Sequence, residues 1–314
     1  MSIERARFRR RVRPGVRAAL TTAILAAVGV PLSMVAGCTF LTDLDGLSTG
    51  SVDAASAVDA RTEAAPQTGD GAAGSDAPSD ASFDGSTCVA VATGLVGHWT
   101  FDTSSIQGSL VHDSSGKAND GMLVGTPPPI VVAGGHSGDA LDYSSAPDTA
   151  GAHVLVPSLP LDLGASGVTS VSLWFFRSGA SGIDDVLVDM PDSPRFDLWL
   201  TGDTGHLLCF NTQANECWGI DDPNLRDRWV HVVALFHNGV ETESELYVDG
   251  TKRVLACTTD PKFPCNVSRT VGLPLSLGGQ NDYFFHGRLD DVRVYNRALT
   301  AAEVAALYAG TACP

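Results

Sequence analysis

Glu241, Glu243 and Glu245 stand two residues apart, and on a strand that spacing puts three carboxylates on one face. Paired carboxylates about 5 Å apart, or further with a water between them, are what general acid–base cleavage of a glycosidic bond requires. The run lies beside Asn238-Gly239, where an exposed acidic turn is the ordinary use of such residues. The expectation is therefore no catalysis, with these three glutamates as the catalytic alternative. Asp102, Asp113, Asn119 and Asp290 offer the carboxylate and amide oxygens that a hard cation such as calcium takes six to eight at a time. Their competing use is in Asx turns and as solvated acids. None of the eight histidines forms a close helical pair or a zinc signature. Neither a serine nucleophile elbow nor a phosphate-binding glycine loop is present. Among the aromatics, Trp99, Trp174 and Trp229 sit in apolar strand-like runs and belong to a core, while Trp199 alternates with Phe196, Leu198 and Leu200. Trp218 beside Cys217, and Tyr283 and Phe284 in a loop, are the expected exposed aromatics for ligand stacking.

These residues must be positioned by a chain whose first part is not globular. In residues 1–37, seven arginines face one acid, Glu4, and an apolar run from Ala18 to about Leu32 leads to small residues before Cys38. A basic start, a short apolar stretch and a small-residue boundary make an export leader, too short for a stable membrane span. Val35-Ala36-Gly37-Cys38 resembles the lipobox of bacterial lipoproteins. That likeness implies cleavage before Cys38, acylation of its thiol and anchoring on a membrane through lipid. Thr39, rather than Asp, then favours the outer membrane if the host is Gram-negative. From residue 38 to 87 the chain is rich in Ala, Ser, Asp and Gly, with nine acids against Arg61 and no sustained period. Such a segment is a disordered, extended linker.

The whole chain carries a net charge of −16, of which residues 1–37 contribute +6, so the part from Cys38 onward stands at −22. That acidity repels phosphate backbones and sets nucleic acid aside as a partner. Setting Cys38 apart leaves six cysteines of the seven. Six thiols in an oxidising compartment allow fifteen pairings. Spacing favours one set. Cys209 and Cys217 flank the turn 211–215, Cys257 and Cys265 bracket the loop 258–264, and Cys88 and Cys313 open and close the compact region. No two-to-four-residue cysteine spacing supports a zinc site instead.

Residues 88–314 read as one all-β domain, with short apolar runs punctuated by Gly, Pro, Asn and Asp. Strands are expected at 95–101, 168–177, 183–189, 195–201, 206–211, 217–220, 229–237, 245–248, 253–257, 275–278 and 287–296. Asn238-Gly239 and Asp249-Gly250 are hairpin signals, since their residues tolerate positive φ. One short C-terminal helix is expected at 301–309, with Thr300 as its cap and Glu303 completing a capping box.

Four segments carry a likeness to a family. They are Gly97-His98-Trp99-Thr100-Phe101-Asp102, the polar loop Asp113 to Gly121, the pair Trp229 to Val233 with Leu246 to Gly250, and Gly287 to Leu299 with the capped helix. Together they resemble the LamG-like jelly-roll family of the concanavalin A-like lectin/glucanase superfamily, over about Gly94 to Gly310. The resemblance implies a two-sheet antiparallel jelly-roll sandwich whose first and last strands are neighbours. It thereby implies that Asp102, Asp113, Asn119 and Asp290 converge on a structural calcium ion. One segment departs: Ala140-Leu141-Asp142-Tyr143-Ser144 stands where the family has Phe-Asp-Gly after Ala-Leu. The functional expectation is a lipid-anchored envelope protein that binds a glycan or a cell-surface protein without catalysis. A glycoside hydrolase or lyase, and a purely structural envelope protein, are the alternatives.

Overall fold

The computed structural model describes residues 88–147, 150–178, 184–190, 196–201, 206–210, 217–257, 265, 267–280 and 283–313. The leader, Cys38, the linker to residue 87, the turn 211–215 and the loop 258–264 lie outside them.

Among the described residues two large antiparallel sheets face each other, the expected jelly-roll sandwich. The smaller, eight-stranded sheet runs Thr251–Lys252, Glu245–Val248, Trp229–His237, Val168–Phe176, Arg288–Tyr295, Asp139–Asp142, Ile130–Ala133, with Leu95–Trp99 also paired to Arg288–Tyr295. First and last long strands are thus neighbours. The ten-stranded sheet runs Ala256–Cys257, Trp218–Asp221, Leu207–Phe210, Phe196–Leu200, Asp185–Met190, Leu275–Leu277, His153–Val156, Gly121–Val124, Leu110–Val111, Ile106–Gln107.

Alternation builds the core. Val168–Phe176 and Trp229–His237, rich in β-branched and aromatic residues, pair continuously from Val168 opposite His237 to Phe176 opposite Trp229. Every second residue, including Val171, Leu173, Phe175, Val232 and Phe236, points to the space between the sheets. Phe236 there meets Phe196 and Phe210 of the opposite sheet edge to face, at centroid distances of 4.8 and 5.2 Å. Tyr143, at the departure from the family pattern, fills the same core and donates its hydroxyl to the Leu277 carbonyl at 3.3 Å. On the far face of the smaller sheet the helix Ala301–Ala309 packs Val304 and Leu307 on Val233, Leu235, Tyr247 and Tyr295. Its capping box forms as expected, and Gly310 at φ 66° ends it.

The three disulfides are Cys88–Cys313, Cys209–Cys217 and Cys257–Cys265, with Cα separations of 5.3, 5.2 and 5.7 Å. The first closes beside a parallel pairing of Val89–Ala90 with Ala312–Cys313. Asp249-Gly250 makes the expected two-residue turn, both residues at positive φ. Asn238-Gly239 does not. Asn238 is buried; its amide donates to the carbonyls of Asp162 and Gly164 and accepts from the Val271 N–H, so it ties loops together. The expected strand 253–257 is also corrected: Thr251–Lys252 belongs to the smaller sheet and Ala256–Cys257 to the larger, and the chain crosses between them.

Candidate functional site

Beside the first long strand lies a groove of about 720 Å³, lined by Leu95, Val96, Lys117, Asn119, Ser158, Leu159, Pro160 and Asn296 with Ala92 and Gly94. Its polar wall is built by the loop after the strand Leu110–Val111. Asp113 organises that loop by accepting the N–H groups of His98, Ser115 and Asn119 at 2.8–2.9 Å and the Ser115 hydroxyl at 2.8 Å. Burial alone would raise the Asp113 carboxyl, but these donors outweigh it and hold it below the usual range. The loop turns through Gly116 at φ 75° and Ala118 at φ 58°, leaving Lys117 exposed between them. Asn119 then donates Nδ2 to the Val96 carbonyl at 2.7 Å, and across the groove Asn296 donates Nδ2 to the Pro160 carbonyl at 3.2 Å. Both amides are fixed by these bonds, and each keeps its Oδ1 as an acceptor.

Asp113 and Asn119 are therefore committed to loop structure, and the four-residue calcium set does not assemble. The Asx-turn use prevails for Asp113, whose Oδ1 accepts the Ser115 N–H, while Asn119 is held through its N–H and Nδ2. Among the described residues, no three His, Cys, Asp or Glu side chains come together as a metal-holding group. Asp102 and Asp290 do meet a common element, the glycine-rich turn from Gly134 to Asp139. Asp102 Oδ1 accepts the Asp139 N–H at 2.9 Å, and Asp290 Oδ2 accepts the Ser137 N–H at 2.8 Å. Asp290 is fully buried, its Oδ1 has no hydrogen-bond partner, and burial pushes its carboxyl up to about 7 against the pull of the Ser137 N–H. Its neighbour Asp291 is also pushed up by burial, yet His98 at 2.7 Å and Arg293 outweigh that and hold it low.

The three glutamates do not share a strand face. Glu241–Glu243 is a 3₁₀ turn, and only Glu245 enters a strand. Glu241 is buried and accepts from Arg269 Nε at 2.9 Å, Glu243 is exposed, and Glu245 pairs with Lys252 at 2.7 Å. A turn has no period of two, so the spacing loses its meaning.

The expected ligand-stacking aromatics also turn inward. Trp218 packs on the main core, Tyr283 is half-buried against the Trp199 cluster, and Phe284 is 8% exposed. Trp99 is core, whereas Trp174 is buried outside the inter-sheet core and Trp229 is half-buried. Trp174 instead stacks with His136 at 3.4 Å and Tyr308 at 5.8 Å beside the helix. His231 on the same face is 1% exposed, and burial pushes it down to about 4. Its Nε2 lies 3.0 Å from Ser172 Oγ, but both residues are sealed under this stack, so the pair has no access to a substrate. The residues that sequence reasoning passed over are Lys117, Ser158, Asn296 and the turn 134–139. The glycines of that turn were the readable signal.

A family model described as the concanavalin A-like lectin/glucanases superfamily matches residues 148–305. No curated protein sequence matches the chain. Domain 4 of AbnA, a GH43 extracellular arabinanase from Geobacillus stearothermophilus solved with arabinotriose, is 21% identical, with a TM-score of 0.47 over 68% of this chain and 98% of that one. Trypanosoma rangeli sialidase is 16% identical, with a TM-score of 0.48 over 69% of this chain and 32% of the sialidase, so the match spans about a third of that enzyme. The binding domain of Paraclostridial Mosquitocidal Protein 1 is 17% identical, with a TM-score of 0.47 over 69% of this chain and 52% of that one. Likeness at this level concerns the fold alone.

Proposed function

Because the chain belongs to the concanavalin A-like lectin/glucanases superfamily, we propose that it is an exported, lipid-anchored envelope protein whose jelly-roll domain binds a glycan without cleaving it. The observation that carries this reading is the groove beside Leu95–Trp99. Its volume of about 720 Å³ suits a ligand of a few sugar rings. Two fixed amide acceptors and the Ser158 hydroxyl match sugar hydroxyls, and Leu95, Leu159 and Pro160 offer apolar surface to ring faces. Non-catalytic binding is supported by the fate of the glutamates, since Glu241 is tied to Arg269 and Glu245 to Lys252.

Export and anchoring rest on the leader and Cys38, and the three disulfides accord with an oxidising compartment. Outer-membrane placement, for a Gram-negative host, rests on Thr39. Calcium stays in the proposal in reduced form. Asp290 and Asp102 would hold it with backbone oxygens of the 134–139 turn, because an orphaned oxygen on a fully buried carboxylate fits a hard cation. Bound there it would supply charge balance and rigidity.

The test is a glycan array probed with the full-length protein in detergent. Retention without release of sugar is the expected result. Release of sugar would establish a glycoside hydrolase or lyase instead, and retention of no glycan would leave a protein partner or a purely structural role.

A further inference from the structure

We infer that the ligand of this groove is an acidic sugar, with a sparse carboxylate or sulfate that Lys117 receives; the inference rests on glycan binding as proposed above. Residues 88–314 hold 26 acidic and 12 basic residues, a net charge of −14, yet no acidic residue lines the groove and one basic residue, Lys117, does. Eight of the ten described basic side chains sit in ion pairs. Lys117 has no described carboxylate within 4.0 Å.

The acids next to it in the chain are turned away. Asp113 faces the N–H groups of its own loop, and Asp120 Oδ1 accepts the Asp113 N–H at 2.8 Å while its other oxygen faces His112. Lys117 is therefore an exposed cation on a loop whose shape is already set, flanked by φ angles of 75° and 58° at Gly116 and Ala118. An alanine in the left-handed region is strained where a glycine would not be, so the Asp113 bonds are what hold the loop in this shape.

The surrounding charge selects the kind of anion. A dense polyanion would meet the field of the whole acidic domain, as nucleic acid would. A ligand with one acid group among neutral hydroxyls meets only the groove, where Lys117 takes the anion and Asn119, Asn296 and Ser158 take hydroxyls. A charge-assisted bond is the stronger kind and should dominate discrimination.

The experiment uses full-length protein in detergent and two matched probe pairs: oligogalacturonate against its methyl ester, and a sulfated galacto-oligosaccharide against the unsulfated one. The expected result is retention of the acid member of one pair, at least about tenfold tighter than its neutral partner. K117Q should erase that difference and K117R should keep it, with melting temperatures unchanged. The responding pair distinguishes carboxylate from sulfate. Equal retention of charged and neutral members overturns the inference and leaves glycan binding standing. Acid-selective retention that K117Q does not alter overturns the assignment to Lys117. If neither the pairs nor the wider array are retained, glycan binding itself falls.

Discussion

Arg269 Nε donates to Glu241 Oε2 at 2.9 Å, with both side chains buried and 28 positions apart in the chain. The contact fastens the 3₁₀ turn Glu241–Glu243 to the short strand Ser268–Arg269, which pairs with Gly239–Val240. Removing one member of a buried ion pair strands the other charge. E241A should therefore lower unfolding free energy by about 3–5 kcal/mol in a denaturant titration. E243A, at an exposed position, should change it by no more than about 0.5 kcal/mol. Equal small effects from both would contradict the buried pair.

That pair also marks where the sequence stops being legible. Long strands such as Trp229–His237 and the helix with its capping box are local: β-branched runs, alternation and Thr300-x-x-Glu303 are enough to read them. Fold class followed from these, and the disulfides followed from spacing. Strands of four residues in 121–156 were not readable, because Gly125, four prolines and Gly134-Gly135 punctuate them and the pairing that makes them strands is long-range. The sites failed for the same reason. Glu241 needs Arg269, Asn119 needs Val96, and Asp290 needs Ser137, and none of those partners is near in sequence. Aromatics misled because Trp218 and Phe284 stand beside polar stretches of sequence yet face inward.

The bridge Cys88–Cys313 spans 225 residues, whereas Cys209–Cys217 spans eight. In the chain-entropy view, the long closure constrains the unfolded state by about 5 kcal/mol and the short one by about half that. A C88S/C313S double variant should accordingly melt well below a C209S/C217S variant in calorimetry. The reverse order would show that native contacts, not loop closure, set the contribution.

Glu303 accepts from Arg297 at 2.6 and 3.0 Å and from the Thr300 N–H at 2.8 Å, and Arg297 first and the cap second bring it down to about 2. A carboxyl lowered on folding stabilises above its unfolded value near 4.5 and loses that stability as pH falls toward 2. T300A should cost about 1 kcal/mol at neutral pH. E303Q should flatten the acid limb between pH 4.5 and 2 in a melting series, and an unaltered limb would refute the assignment.

If lipid on Cys38 holds the protein, C38A should move it from the membrane fraction to the soluble one without altering the melting temperature of the domain. Detection is by ultracentrifugation with and without detergent. A variant still recovered only with detergent would remove the anchor from the proposal.

Asp290 supplies the sharpest test of calcium, because its carboxyl stands at about 7 rather than 3.8. The folded chain then holds a proton that the unfolded chain has released between those values. Stability from this group is greatest at the acid end and falls as pH rises toward 7. His231, pushed by burial to about 4, works the other way, losing stability as pH falls below 6.5. Wild type must therefore be compared with D290N, which keeps an acceptor for Ser137 but carries no charge. Without calcium, the melting temperature of wild type relative to D290N should drop from pH 5 to pH 8. Calcium should cancel that drop in wild type, since a bound cation favours the ionised carboxylate, and should leave D290N unmoved. An equal calcium response in both proteins would place any bound ion elsewhere than on Asp290.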